Sequence, residues 1–259
     1  MRVINLTVNG LYDAVDRGLF EWLSGKDADI IALQNICCRE YKIEDDPRFD
    51  LAGFERYLFE GEDEDYGGTA LYVKKTPKAV MRGVSNYDID RHGTLIQADY
   101  DQISVASLWL PSGMAAETIK TRALFRESLK VLMSKVRRKR RLFIYAGNFQ
   151  LAHQTIDLSH PERHSNTQGH TPDEIQWMSQ VLENLGYRDA LRQVDRNGRY
   201  FSWWPDMHAL NMAEDPGAWR VDYQITSESL GPKVLTASYY TEKRFSDHAP
   251  LIVDYDVEL

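Results

Sequence analysis

The sequence predicts an α/β fold, and three observations carry that prediction. Residues 3–8 and 30–33 are apolar runs of strand length, and the segment between them has apolar side chains at helical spacing, which is the order of a β-α-β crossover. A further buried strand at 142–146 follows a long amphipathic helix. No linker, repeat or low-complexity tract interrupts the 259 residues, so we predict a single domain over 1–259.

The first half of the chain is predicted to alternate short strands with turns. Residues 11–25 form a predicted helix that begins after a turn at Asn9-Gly10. The acidic stretch 60–65 is predicted to be a solvated loop, because nothing organises its carboxylates. The remaining elements are predicted strands, of which the last two form a β-hairpin with its turn at Asp101-Gln102: residues 69–73, 79–81, 94–100 and 103–110.

The second half contains two predicted helices and the closing strands. Thr171-Pro172 gives the second helix an N-cap residue and a proline at its first position, and Gly186 ends it. The first helix covers 117–136, and its predicted buried face carries Ile119, Leu124, Leu129, Leu132 and Val136. The closing strands are predicted at residues 200–204, 219–226, 234–239 and 250–255.

The end of the strand at 142–146 is the predicted position of a functional site. We predict a tight turn at Gly147, which would present Asn148 and Gln150 at the rim of the sheet. Both of these side chains are neutral amides. A site for a hard divalent cation would need carboxylates here, because anionic oxygen offsets the cost of dehydrating the ion.

Composition and charge narrow the class of protein. The formal net charge of −8 argues against a chain that binds nucleic acid through its overall field. No apolar run reaches the length of a membrane span, and the N-terminus has no signal-peptide pattern. Cys37 and Cys38 are adjacent and cannot form a disulfide framework, which favours a reducing cytoplasm.

The strongest charge run follows the first long helix, where six of the seven residues at 135–141 are basic. Cations at a helix C-terminus complement its dipole and keep the following loop solvated. The number of positive charges also suits binding of a polyanion or a partner. Both interpretations stay open, and we expect the run at the edge beside the site after 142–146. The candidate contact residues are Arg137, Arg138, Lys139, Arg140 and Arg141.

Six short motifs occur in order along the chain: Leu6-Thr7-Val8-Asn9-Gly10, Leu33-Gln34-Asn35, Leu110-Pro111-Ser112-Gly113, Gly147-Asn148-Phe149-Gln150, Trp219-Arg220-Val221-Asp222-Tyr223 and Ser246-Asp247-His248-Ala249-Pro250. In this order and at this spacing the chain resembles the exonuclease III branch of the endonuclease/exonuclease/phosphatase family. The resemblance covers essentially the whole chain. It implies a four-layer α/β sandwich, in which two mixed β-sheets pack face to face and helices lie outside.

The resemblance also implies a site and shows where this chain departs from it. Active members hold Mg²⁺ with a Glu, activate water with the Asp and Asn of a Gly-Asp-x-Asn motif, and contact phosphate with a His that an Asp orients. Three positions still match that pattern: Asp222, Asp247 and His248. The departures are Thr7 for an Asn, Asn35 for the Glu, Trp109 for a Tyr, Asn148 for the Asp and Gln150 for its companion Asn.

These departures predict that the chain is not an enzyme. Asn35 and Asn148 remove two anionic groups from one site, and a neutral amide is neither a general base nor a strong Mg²⁺ ligand. No cofactor is then expected, and any weakly held ion would lie at Asp247. Asp222 and His248 would form a structural hydrogen-bonded pair. The alternative is a Mg²⁺-dependent exodeoxyribonuclease III or abasic-site endonuclease of DNA repair; the fold also permits a phosphatase.

Further stretches resemble a regulatory subgroup of this family, namely 201–206, 249–256 and the basic run. That resemblance implies a role in carbon catabolite repression, in which the protein joins the RNA chaperone Hfq on A-rich mRNA sites and represses translation. Arg137–Arg141 would then contact phosphates in a ternary complex. It also implies a cytoplasmic protein with no membrane contact and no stable RNA binding in the absence of Hfq.

Overall fold

A computed structural model describes residues 1–139, 141–206 and 217–259. One of the predicted RNA contacts, Arg140, lies outside the described residues. The strands are β1 (Arg2–Thr7), β2 (Ile30–Gln34), β3 (Glu55–Phe59), β4 (Thr69–Val73), β5 (Ala79–Arg82), β6 (Leu95–Asp99), β7 (Ile103–Trp109), β8 (Leu142–Asn148), β9 (Arg188–Asp189), β10 (Asp222–Thr226), β11 (Val234–Tyr239) and β12 (Leu251–Tyr255).

The α-helices are mostly short, and one of them is long. They are α1 (Leu11–Asp16), α2 (Leu19–Ser24), α3 (Glu40–Ile43), α4 (Tyr87–Asp90), α5 (Ala116–Arg138), α6 (Pro172–Ser179) and α7 (Ala190–Val194). Short 3₁₀ turns lie between them, and α6 continues as a π-helical turn over Gln180–Asn184. None of the helices formed by the described residues is both long and apolar enough to cross a lipid bilayer.

Two mixed sheets of six strands form the centre of the molecule. Their strand orders are β11-β12-β1-β2-β4-β3 and β5-β6-β7-β8-β10-β9. Each sheet contains one parallel pair, β1 with β2 and β7 with β8, and the other neighbours run antiparallel. With helices on the outer faces, this is the predicted four-layer sandwich, and the fold prediction is confirmed.

The burial of alternate residues explains the layers. Successive side chains of a strand point to opposite faces. Val3 of β1 packs between the two sheets, whereas Ile4 packs beneath α1 and α2. In β8, Ile144 packs between the sheets and Phe143 packs beneath α5. Because both faces of these strands are buried, their sequences are continuous apolar runs.

Three predicted elements differ from the structure. The helix predicted at 11–25 is divided into α1 and α2 at Gly18, whose φ of +84° breaks the helical path. The edge strand β3 was not predicted; it begins with two charged residues, Glu55 and Arg56, and only its Leu58 is buried. The strand predicted at 200–204 is irregular: Trp203 forms isolated bridges to Trp219 and His248.

The turn predicted at Gly147 is wrong, because β8 continues through it to Asn148. Gly147 lies between Leu108 of β7 and Tyr223 of β10 in the register of the sheet. Its φ is +149°, and a Cβ atom there would lie 1.9 Å from the Leu108 carbonyl oxygen. A glycine is therefore required inside this strand rather than after it.

The buried face of α5 also differs from the predicted one. Leu124 is 37% exposed, while the apolar stripe runs through Phe125, Leu129, Met133 and Val136. Arg126 lies beside Phe125 on this face and Arg122 lies one turn before it, and both are buried. Two cations therefore occupy positions that the helical pattern reserves for apolar side chains.

Candidate functional site

The candidate site forms where strands of both sheets end together. Asn148 lies opposite Asp222 on one side and opposite Trp109 on the other in the register of the second sheet. Residues opposite each other share a face, and this face is turned to the first sheet. Thr7, at the end of β1, meets it there: its Oγ1 donates a 2.7 Å hydrogen bond to Asp222 Oδ1.

Asp222 is fully buried and holds His248 in place. Its Oδ2 atom lies 2.7 Å from His248 Nδ1 and accepts a 2.6 Å hydrogen bond from Ser202 Oγ. Burial by itself would lower the pKa of His248. The charge of Asp222 and its hydrogen bond to the imidazole outweigh burial and raise the pKa above its ordinary value. Asp222 therefore stabilises the protonated form of the imidazole at this site.

Asp247 and Asn35 belong to a second hydrogen-bond chain. Asn35 Oδ1 accepts a 2.7 Å hydrogen bond from the Gly67 backbone N–H, and Asn35 Nδ2 donates to Asn9 Oδ1 at 2.7 Å. Asn9 Nδ2 in turn donates to Asp247 Oδ1 at 2.6 Å, and Trp203 Nε1 donates to Asp247 Oδ2 at 2.9 Å. Each oxygen of Asp247 therefore already accepts a hydrogen bond.

The residues present do not fit the Mg²⁺ ion that the resemblance implies for active relatives. Asn148 Oδ1 accepts a hydrogen bond from the Gln150 backbone N–H at 2.7 Å. Its buried Nδ2 has no partner among the described residues, so the atom left without a partner is a donor, and a cation needs acceptors. Within residues 1–139, 141–206 and 217–259, no group of three or more His, Cys, Asp or Glu side chains is arranged to hold a metal ion.

A cavity of about 630 Å³ lies against this site. Asp247 and His248 line it on one side, and Trp203, Trp219 and Arg122 are also in its wall. Its volume is in the range of sites that enclose a small ligand or one unit of a polymer. The sequence predicted no role for the two tryptophans or for Arg122, although Trp219 begins one of the six motifs.

The structure separates some predicted residues from this cavity. Trp109 is fully buried and makes an edge-to-face contact with Tyr66, with ring centroids 4.9 Å apart. Gln150, in contrast, lines the cavity. Of the predicted residues, Gln150, Asp247 and His248 line the cavity. The others lie behind its wall: Thr7, Asn35, Trp109, Asn148 and Asp222.

The basic run lies far from the cavity, so the expectation that it borders the site is wrong. It precedes Leu142, whereas the site is at Asn148, and six strand residues correspond to about 20 Å. The Arg141 guanidinium bonds to Ser104 and to the carbonyls of Tyr100, Asp101 and Ile103, and Arg137 donates to the Asn184 carbonyl. The side chains of Arg138 and Lys139 are exposed and make no hydrogen bond or ion pair with the described residues.

A buried ionic cluster supports the chain segment that leads into β10. Arg220 is 1% exposed, and its Nε and Nη2 atoms lie 2.7 Å from Asp157 and Asp189, respectively. Arg192 binds the same Asp157 carboxylate at 2.6 Å. Burial by itself would raise the pKa of Asp157, but the charge of Arg220 outweighs burial, and the pKa of Asp157 lies below its ordinary value. Because Arg220 is two residues before Asp222, the cluster fixes the start of β10.

Solved structures with this fold come from several organisms. A 3′-5′ exonuclease (NExo) from Neisseria meningitidis has a TM-score of 0.88 and 21% identity over 99% of this chain and 100% of its own. An AP endonuclease from Archaeoglobus fulgidus has a TM-score of 0.87 and 21% identity, over 99% and 100% of the two chains. At this level of identity the likeness shows the fold alone.

The prediction that the chain is not an enzyme is contradicted by its named relatives. An exodeoxyribonuclease from Bacillus subtilis is 29% identical over 97% of this chain and 98% of its own length. A DNA-(apurinic or apyrimidinic site) endonuclease from Dictyostelium discoideum is 25% identical over 99% of this chain and 71% of its own. The prediction rested on the charge of Asn35 and Asn148 alone, whereas Asp247 and His248 still line the cavity and Asp222 still holds His248.

The comparison with protein families covers nearly the whole chain. The model described as the endonuclease/exonuclease/phosphatase family matches residues 8–248. That range begins directly after β1 and ends at His248, so it includes the residues that line the cavity and every strand except β1 and β12. The chain therefore belongs to the endonuclease/exonuclease/phosphatase family.

Proposed function

We propose that this chain hydrolyses phosphoesters in nucleic acid, as an exonuclease or abasic-site endonuclease, and that the cavity receives the phosphate. One observation carries the proposal: the buried Asp222 presents the His248 imidazole, with its raised pKa, at the cavity wall. A protonated imidazole attracts an anionic substrate and can donate a proton to a departing oxygen. The named relatives support the same class of reaction.

The neutral side chains at the site limit the rate of hydrolysis in this proposal. Asn35 and Asn148 carry no charge near neutral pH, so neither can remove a proton from water. Asp247 already accepts hydrogen bonds from Asn9 and Trp203. The described residues thus supply substrate binding and protonation more fully than they supply activation of water, and we expect slow turnover.

Cleavage of two DNA substrates tests the proposal. Wild-type protein with Mg²⁺ or Mn²⁺ should slowly cut a duplex at an abasic site or remove nucleotides from a 3′ end. His248→Ala should lower that rate by about 10²-fold or more, because it removes the proton donor. His160→Ala is a matched control, since His160 pairs with Glu162 and does not line the cavity. Absence of cleavage by the wild type, or equal cleavage by the His248→Ala protein, would overturn the proposal.

A second candidate function rests on the exposed basic end of α5. The side chains of Arg138 and Lys139 are exposed there and make no hydrogen bond or ion pair with the described residues. The similarity to catabolite repression control proteins suggests a partner for this surface. We propose that it joins Hfq on A-rich mRNA in the cytoplasm and represses translation. A net charge of −8 suits a protein that does not hold RNA without that partner.

Charge reversal tests this second candidate. The double variant Arg138→Glu/Lys139→Glu should weaken the supershift of an Hfq–A-rich RNA complex by about tenfold or more, because each lost phosphate contact removes a salt-dependent increment. Arg48→Glu is the control, since Arg48 is exposed and pairs with Asp46 elsewhere on the surface. If the wild type fails to shift the Hfq–RNA complex, this candidate is excluded.

A further inference from the structure

Arg122 is a buried cation in the wall of the cavity. It lies in the second turn of α5, is 3% exposed, and lines the cavity together with Ser112, Gly113 and Met114 of the preceding loop. That loop is held in place, because Tyr66 Oη donates a 2.6 Å hydrogen bond to the Ser112 carbonyl. The Arg122 guanidinium therefore lies against a loop that Tyr66 anchors.

The donors of Arg122 are almost unused. Its Nε and Nη2 atoms are buried and have no hydrogen-bond partner among the described residues. Nη1 makes one long hydrogen bond, of 3.4 Å, to the Pro111 carbonyl. A guanidinium has five N–H donors, and leaving them buried without acceptors costs free energy for each group. An arrangement of this kind is expected where an acceptor arrives from outside the chain.

The nearest carboxylate is already committed to other groups. Glu174 forms a 2.9 Å ion pair with Arg126, one helical turn after Arg122. It also accepts hydrogen bonds from the Gly169 backbone N–H at 2.6 Å and from Gln168 Nε2 at 2.8 Å. Two arginines and one glutamate leave one positive charge uncompensated beside the cavity. Arg220, by comparison, is buried between two carboxylates.

We propose that Arg122 is an anion receptor of the cavity and that the group it binds is a phosphoryl group. The inference rests on the proposed action on nucleic acid and specifies a part of the substrate that His248 does not contact. A guanidinium suits this ligand, because its planar fork can donate two parallel hydrogen bonds to phosphate oxygens. The phosphoryl group is that of a nucleic-acid strand or of a free nucleotide, which share this chemistry.

Calorimetric titration with three probes tests the receptor: inorganic phosphate, adenosine 5′-monophosphate and a short single-stranded DNA. Arg122→Met should weaken phosphate binding by about 10- to 100-fold, because it removes the charged donors. Lys120→Met removes the same charge from an exposed position two residues earlier and should bind like the wild type. Tighter binding of the oligonucleotide than of the nucleotide identifies a strand as the source, and the reverse order identifies a free nucleotide.

Thermal melting separates a binding role from a structural one. Without ligand, Arg122→Met should melt at or above the wild-type temperature, because an apolar chain replaces an unpaired buried charge. Arg126→Met should melt lower, since it leaves Glu174 unpaired. Phosphate should raise the melting temperature of the wild type and not that of Arg122→Met.

The results distinguish this inference from the proposed hydrolysis. Equal phosphate affinity in the wild type and Arg122→Met, or no binding of any probe by the wild type, would overturn the receptor. Binding that depends on Arg122 in a protein that cuts no DNA would support the receptor and remove the proposed hydrolysis. Cleavage that depends on His248, with phosphate binding unaffected by Arg122→Met, would support the proposed hydrolysis and overturn the receptor.

Discussion

Restoring both carboxylates, as Asn35→Glu together with Asn148→Asp, is expected to raise the rate of abasic-site cleavage by about 10²- to 10⁴-fold, the usual contribution of a positioned general base. Asn148 Nδ2 is buried without a partner among the described residues, so a carboxylate oxygen can replace it without breaking a hydrogen bond. The new carboxylate would lie opposite Asp222. Two neighbouring carboxylates raise the pKa of one of them, towards the range that suits a base.

The measurement is the initial rate of strand cleavage with a single abasic site, with Mg²⁺ or Mn²⁺ present. The matched control is Asn35→Gln together with Asn148→Ala, which changes the same positions without adding charge. This control should stay within a few fold of the wild type. A folded double-carboxylate variant that cuts no faster than the wild type would show that the two amides do not limit the reaction.

Loss of the charge at Arg220 is expected to have the largest effect on stability. Arg220→Met would leave the buried Asp189 without its ion-pair partner and Asp157 with Arg192 alone, and removing one partner of a buried ion pair costs about 3–5 kcal/mol of unfolding free energy. Burial prevents solvent from screening these charges, since Arg220 is 1% and Asp157 is 0% exposed. The start of β10 should loosen, and with it the position of Asp222.

Urea denaturation of the wild type and the variant checks this expectation. Arg48→Met is the control: the Arg48 side chain is 55% exposed where it pairs with Asp46, and an exposed pair contributes less than about 1 kcal/mol. If Arg220→Met and Arg48→Met shift the free energy of unfolding equally, the buried cluster does not stabilise the fold as described.

The sequence predicts the sheets better than it predicts the cavity. Strands such as β1, β2 and β8 are apolar on both faces, so their pattern is unambiguous. The edge strand β3 is half exposed and has no such signal. Helix α5 was predicted in nearly its full extent, but its face was shifted, because Leu124 was assigned to the interior in place of Phe125.

The site was predicted residue by residue only where a motif identified it. Asp222 contacts His248 as the motifs imply, although the two residues lie 26 positions apart in the chain. The role of Arg122 could not be predicted, because it depends on which groups surround the guanidinium and not on the helix that carries it. One signal was present: Arg122 and Arg126 continue the spacing of the apolar stripe of α5, and charged residues in such positions need partners.

The distance of about 20 Å between the two ends of β8 has a thermodynamic consequence. Changes made at two sites that share no contacts and lie this far apart generally alter the free energy of the protein independently. Occupation of the basic end of α5 by a macromolecule would therefore leave the affinity of the cavity unchanged. At a rise of 3.4 Å per base pair, a duplex would need about six base pairs to reach from one end to the other. Under the two proposals above, the cavity and the basic end of α5 would act as separate binding sites.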